Sequence, residues 1–482
     1  MSERRELHSF DEKIDPKGGG LTTIVLLLVS LGFLLAALAS AGSALAQSEE
    51  PDGPVYIVQP GDTLYTIALR FGVTVEDLLE ANDLSPDDLI FVGDRILIPG
   101  LEGMTGVLDT VTVPFGESLR SLSRRHQIPL DKLIKLNRLT SPGELYAGAS
   151  LVLPQTAGEQ IQTTRTILGS GQTALELAVL ENVNPWELAA FNGLSNPARA
   201  LPGDVLFVPN REPDGPGGFP APVTEVQISD AYQGETFTAR IQAGEGATFQ
   251  GTLGPYEFDF FPDGQGGYFA LQGIHPLFEP GMVPLTISGQ LANGARFAHT
   301  QMVRVQPRGY AFETLTVSPD LIDPETTEAE WEVVQPYFNT ITSEKMWTGV
   351  FQSPSPFADC INSSFGNRRS YNGSAFIYYH GGVDFCGGMG VEVIAPARGR
   401  VIFADQLEVR GNFTLIDHGW GVLSAYLHQS ELFVQVGDMV EPGQVIGLVG
   451  ATGRVTGAHL HWEMWVGGIQ VNPLDWLNLP YP

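Results

Sequence analysis

Residues 55–210 repeat themselves. Gly61, Gly116 and Gly171 stand at a period of 55, and the same interval carries Asn82 to Asn137 and Asn192. Leu84, Leu139 and Leu194 keep it too, as do Gly93, Gly148 and Gly203, and Pro99, Pro154 and Pro209. Agreement in register at so many positions marks three copies of one small supersecondary unit, over 55–100, 109–155 and 161–210. Each copy reads strand, turn, helix, helix, turn, strand. In the first, "VYIV" alternates like a strand, and "PGDT" is a turn whose Asp62 or Thr63 suits a helix cap. "TLYTIALRF" has apolar residues at helical spacing, "VEDLLEAN" makes a second short helix stopped near Asn82, and "RILIP" returns as a strand ended by proline.

The βααβ unit and its "YIVQPGDTL" opening resemble the LysM module, which binds N-acetylglucosamine chains of peptidoglycan or chitin. The second and third copies keep the frame but carry "GESL" and "GQTA" in place of "GDTL", so they read as degenerate. The resemblance implies a sugar groove between the loop after the first strand and the loop before the last. In copy one that groove falls on Gly61, Asp62, Thr63 and Leu64, with Leu89 and Ile90 opposite. A spacer of inert modules is the plainer alternative.

At 482 residues the chain is too long for one core, and several domains are expected. The net charge of −29, with no lysine after Lys345, lacks any basic footprint and excludes nucleic acid as a partner. Residues 21–46 are apolar and uncharged, long enough to span a bilayer. Arg4, Arg5, Lys13 and Lys17 precede them and no Lys or Arg follows until Arg70, which puts residues 1–20 in the cytoplasm and the rest outside. Ala44-Leu45-Ala46 also fits a signal cleavage site, so the expectation is a membrane-anchored protein, or a secreted or wall protein after cleavage. Outside the cytoplasm, the two cysteines, Cys360 and Cys386, read as a disulfide.

Residues 211–222 form a Pro/Gly linker. From 223 to 306, short alternating strands broken by turns suggest a β-sandwich without evident chemistry, with His275 and His299 structural. A connector, 307–345, holds a helix in "TEAEWEVVQPYFNTI" that Pro336 should kink or end. The fold class is therefore multidomain and mainly β.

Five of the nine histidines fall in 346–482, on separate strand-like segments that a sheet could bring together. In "GAHLHWEM", His459 and His461 point to one strand face. From these residues alone the pair is either two half-buried hydrogen-bonding histidines or a metal or acid/base site. The wider pattern resembles the lysostaphin-like zinc endopeptidases of the bacterial cell wall. "HGGVD", "AYLH" and "TGAHLHWE" carry the resemblance, supported by "SSFGNRR", "VIAPARGRV" and "VGDMVEPGQVIGLVGATG". One departure is Ala458, where the family usually has proline.

The resemblance implies a β-rich domain of duplicated hybrid, barrel-sandwich type, with zinc held by His380, Asp384 and His461. His428 and His459 would assist the attacking water and stabilise the oxyanion. Three N or O ligands leave one position open for water, as hydrolytic zinc requires. Glu463 shares a strand face with His461 and could orient it, or lie in solvent. His418 is structural or supports the metal site. Arg368 and Arg369 line the substrate groove or are plain surface charges. A Cys360–Cys386 bridge would steady the arm that carries Asp384. The glycine-rich "VGDMVEPGQVIGLVG" also resembles biotinyl and lipoyl carriers, but those need a lysine at the hairpin tip and none is present. The expected function is a zinc endopeptidase cutting peptide stems or cross-bridges of peptidoglycan, targeted by LysM modules. The alternative is a non-catalytic wall-binding regulator of other hydrolases, as in relatives that have lost zinc ligands; here all five site residues are present.

Overall fold

The structure is a computed structural model that describes residues 53–482, apart from 102–103, 105, 127, 142–143, 155–162 and 210–214. The apolar segment 21–46, its flank 1–20 and the start of the linker lie outside the described residues. Among the described residues no helix is long and apolar enough to cross a membrane.

The repeat has a physical cause in each copy. Thr63, Ser118 and Thr173 cap the first helices (Leu64–Phe71, Leu119–Arg125, Ala174–Leu180), each accepting from the backbone N–H three residues on. The recurring asparagine closes the unit. Asn82 Nδ2 donates to the Leu78 and Leu97 carbonyls, and its Oδ1 accepts from the Leu97 N–H at 2.6 Å. Asn137 and Asn192 repeat this three-bond pattern, tying the end of the second helix to the closing strand. The recurring glycine before that strand has φ of 94°, 91° and 94°, a left-handed turn that a side chain would strain. Modules one and two share one four-stranded sheet, in which Pro54–Ile57 runs parallel to Gly106–Thr112.

Residues 225–306 form two facing sheets. The five-stranded one has Gly281–Gln290 and Arg296–Gln306 at its heart; the four-stranded one centres on Thr236–Gln242 and Gly267–Gly273. Alternate residues such as Phe237, Ile241, Phe249, Leu285 and Ile287 fill the space between them.

The C-terminal region is built on a ten-stranded sheet. Its central strands are Val383–Phe385, Leu460–Val466, Val422–Leu432, Gly411–Gly419 and Gly399–Leu407, each antiparallel to the next. Trp347, Trp420, Trp462 and Trp476 are buried in one cluster with Phe261 and Leu271 of the sandwich, so the two regions share a core. Phe261 stacks on Trp420 at 5.3 Å. The connector helix, Pro324–Phe338, is sealed onto the other face of the sheet by Val334 and Phe338 against Phe413 and Trp465. Pro336 sits in its last turn, where it cannot donate to the Glu332 carbonyl, and the helix ends two residues later at Phe338.

Candidate metal centre

Strand pairing decides which histidines meet. Asp384 stands directly opposite His461 across the Val383–Phe385 and Leu460–Val466 pair, and Leu427 stands opposite His461 on the other side. His428 follows Leu427 at a bulge, where the register shifts, and takes a left-handed φ of 62°. A histidine held in that conformation costs roughly 1–3 kcal/mol, which the surroundings must offset. The strain swings its ring towards the cluster, to centroid distances of 5.4 Å from His459 and 6.2 Å from His461. His459 enters the sheet through an isolated bridge to Gly450, and His380 ends the short strand Tyr378–Tyr379.

The donors converge tightly. Asp384 Oδ1 lies 2.7 Å from His461 Nδ1 and 3.1 Å from His380 Nε2, and those two nitrogens are 3.1 Å apart. His459 Nε2 is 3.4 Å from the same oxygen.

Hydrogen bonds on the far side of each ring fix the tautomers, because a carbonyl or carboxylate oxygen can only accept. His380 Nδ1 donates to the Ser364 carbonyl (3.0 Å), His428 Nδ1 to that of Thr452 (2.9 Å) and His459 Nδ1 to that of Gly457 (2.9 Å). His461 Nε2 donates to Glu463 Oε1 at 3.1 Å, and Trp465 Nε1 holds the other Glu463 oxygen at 2.8 Å. Each imidazole thus turns its remaining nitrogen inward. Two bare nitrogens and a carboxylate oxygen about 3 Å apart repel one another unless a positive charge sits among them. Such a donor set, braced behind both rings, suits a divalent metal, and His380, Asp384 and His461 form a cluster that could hold one.

Without an ion, a proton must serve. Burial opposes charge on His461, yet its hydrogen bonds to Asp384 and Glu463 carry its pKa up to about 9. Burial would raise the Asp384 carboxyl, but the His380, His459 and His461 rings gathered on it hold it far below the usual range. His428 goes the other way, lowered to about 4 by burial and by nearby His461.

The other expected residues divide. Glu463 is buried on His461 rather than solvated. His418 takes the structural role: it is fully buried, donating from Nδ1 to the Arg398 carbonyl and hydrogen-bonded through Nε2 to Ser424 Oγ. Arg368 bonds the Pro276 carbonyl of the sandwich, whereas Arg369 reaches Asp384 Oδ2 at 3.8 Å. Cys360 and Cys386 are bonded to each other and link the approach to strand Ile361–Ser363 with the strand carrying Asp384.

In the first module Thr63 caps a helix, Ile90 packs on the module core and Leu89 is 78% exposed. Asp62 is absorbed internally by Tyr56, by the Gln59 N–H and by Arg70. Gly61 is exposed at a left-handed turn beside half-buried Leu64. Sequence reasoning missed Glu313, Ser363 and Thr452, all within one hydrogen bond of a site residue or of its immediate neighbours.

Residues 378–473 match Peptidase family M23, and residues 56–99, 111–154 and 171–209 match the LysM domain. The chain carries an M23 peptidase domain and three LysM domains. The peptidoglycan DD-endopeptidase ShyA of Vibrio cholerae is 39% identical over 120 residues, which cover 25% of this chain and 28% of ShyA. The DD-carboxypeptidase/endopeptidase Mpg of Neisseria meningitidis is 42% identical over 103 residues, covering 21% of this chain and 24% of Mpg. The chain thus spans about a quarter of the length of these relatives. Among solved structures, a zinc containing peptidase from Vibrio cholerae is 17% identical, covering 89% of this chain and 99% of that one at a TM-score of 0.25.

Proposed function

We propose that this protein is a zinc-dependent endopeptidase that cuts the peptide portion of peptidoglycan. The observation that carries the reading is the inward convergence of His380 Nε2, Asp384 Oδ1 and His461 Nδ1, with both rings braced from behind. Two neutral imidazoles and one carboxylate suit zinc and leave the site with net positive charge. Bound there, zinc supplies Lewis-acid polarisation of a carbonyl and acidifies water.

The chain's own residues do the rest. His428 is neutral near pH 7 because burial lowers its pKa to about 4, and its Nδ1–H is committed to Thr452. Its Nε2 lone pair is therefore free to accept a proton from the attacking water, and it can return that proton to the leaving amine. His459, partly exposed beside Asp384, is placed to donate to the developing oxyanion once protonated. Glu463 fixes the His461 ring, and the His380 ring is fixed by Ser364.

The LysM modules hold glycan strands and raise the local concentration of peptide at the site. Two relatives of the chain are named for DD-endopeptidase or DD-carboxypeptidase/endopeptidase activity, which supports a D-amino-acid bond as the target. Action outside the cytoplasm follows from that substrate, with residues 21–46 as anchor or cleaved signal.

The test is digestion of purified cross-linked peptidoglycan by the whole chain, with mass analysis of the released peptides. New amino termini that disappear with a chelator are expected. An unaltered wall under zinc-replete conditions would instead favour the non-catalytic regulator.

A further inference from the structure

We infer that Glu313, on a strand upstream of the M23 match, is a positioning residue for the metal site. The inference rests on the zinc site proposed above. Strand Phe312–Leu315 pairs in parallel with Arg368–Tyr371, in the register that sets Glu313 beside Arg369. Arg369 Nε donates to Glu313 Oε2 at 3.2 Å, and Asn367 Nδ2 donates to Glu313 Oε1. Ser363 Oγ lies 3.2 and 3.3 Å from the two carboxylate oxygens. From this hub two arms reach metal donors. Arg369 Nη2 donates to Ser363 Oγ at 3.0 Å and stands 3.8 Å from Asp384 Oδ2. Ser363 Oγ is also 3.2 Å from His380 Nδ1, and the Asn367 carbonyl accepts from the His380 backbone N–H at 2.9 Å.

The physical role follows from competition for one carboxylate. Arg369 is largely buried, with a side chain 15% exposed. A buried guanidinium seeks a carboxylate partner, and two are within reach, Glu313 and Asp384. While Glu313 takes Nε, Arg369 stays turned and touches Asp384 only loosely through Oδ2. Asp384 Oδ1 is left facing the two histidines. Without the Glu313 charge, Arg369 pairs fully with Asp384 and draws that ligand out of the donor cluster. The upstream connector is thus part of the metal site, and the segment 378–473 alone lacks it.

The test is zinc affinity of the whole chain, measured by competition with a chromophoric chelator, for the parent, Glu313→Gln and Ser363→Ala. Glu117→Gln serves as the control, since Glu117 is a buried carboxylate paired with Arg125 in the second LysM domain. Glu313→Gln should bind zinc about 10–100-fold more weakly, and Ser363→Ala severalfold more weakly. Glu117→Gln should lower stability and leave zinc affinity unchanged. Cobalt-loaded Glu313→Gln should also show an altered visible spectrum, which a merely structural change elsewhere would not cause. Zinc affinity within twofold of the parent in both site variants would overturn the inference while leaving the zinc site intact. A parent that binds no zinc would overturn the metal reading itself. If Glu313→Gln fails to fold, Ser363→Ala decides alone.

Discussion

Two regions of one sheet treat buried histidines in opposite ways. At one, His461 faces Asp384 and Glu463 and its pKa rises to about 9 despite burial. At the other, His418 meets only neutral partners, the Arg398 carbonyl and the Ser424 hydroxyl, and burial lowers its pKa to about 4. Both are imidazoles largely removed from solvent, His418 completely and His461 to 9% exposure. What differs is whether negative charge was built in to meet a cation. Two carboxylates around one imidazole make a place for positive charge; a carbonyl and a hydroxyl make a neutral strut.

The comparison breaks most visibly on activity. His461→Ala should cut peptide-bond cleavage on the order of a thousandfold, because Lewis-acid polarisation is worth several kcal/mol. A His418→Gln variant, assayed at pH 7.5 where it remains folded, should retain near-parent turnover of a cross-linked peptide and parent zinc affinity. Equal losses in both variants would show that the two regions are not functionally distinct.

A smaller effect belongs to pH and stability. An unfolded His418 binds a proton below its ordinary pKa of about 6.5, while the folded one stays neutral down to about 4. Stability should therefore be fully present above about pH 6.5 and fall as pH drops towards 4, by on the order of 3 kcal/mol from this group. Urea midpoints measured across that range should have a shallower pH slope in His418→Gln by one proton's worth. An identical slope would mean that His418 is charged in the native state.

Glu463→Gln sharpens the other side. It removes charge from behind His461 while keeping an acceptor, and should weaken zinc binding by about 10–100-fold. Unchanged affinity would mean that Glu463 only fills space. The smallest effect is a proton count. With a pKa of about 9, His461 is protonated at pH 7.5 in the metal-free protein, so zinc must displace about one proton. Calorimetry in buffers of different ionisation enthalpy should register that release, and affinity should decline as pH falls below 9. Zero release would place a bare nitrogen there already.

Much of this was legible in the sequence. The 55-residue period announced three modules because the same asparagine bridge and the same left-handed glycine recur in each. Strand alternation puts His459 and His461 on one face, while the proposed metal and catalytic roles rest on the family resemblance of the short motifs. Glu313 was not legible: nothing in "FETL" shows that it pairs in parallel with a strand more than fifty residues later. Nor could the repeat tell which copies face outward. In the first module the turn at Gly61 is exposed. In the second, the corresponding turn is covered: Gly116 N–H donates to Gln301 Oε1 at 2.8 Å and its carbonyl accepts from Gly218 at 2.6 Å. The Pro/Gly linker is seated here, with buried Arg165 donating to the Phe219 carbonyl and to that of Val223 just beyond it. Composition reports a residue's conformational freedom; packing from distant segments then removes it.

The most direct test is a zinc titration of chelator-stripped whole chain, with cleavage of a cross-linked peptide as readout. Activity should rise linearly and stop at one zinc per chain, and His461→Ala should stay inactive throughout. Full activity in the stripped protein, or restoration by zinc in His461→Ala, would contradict the proposed centre.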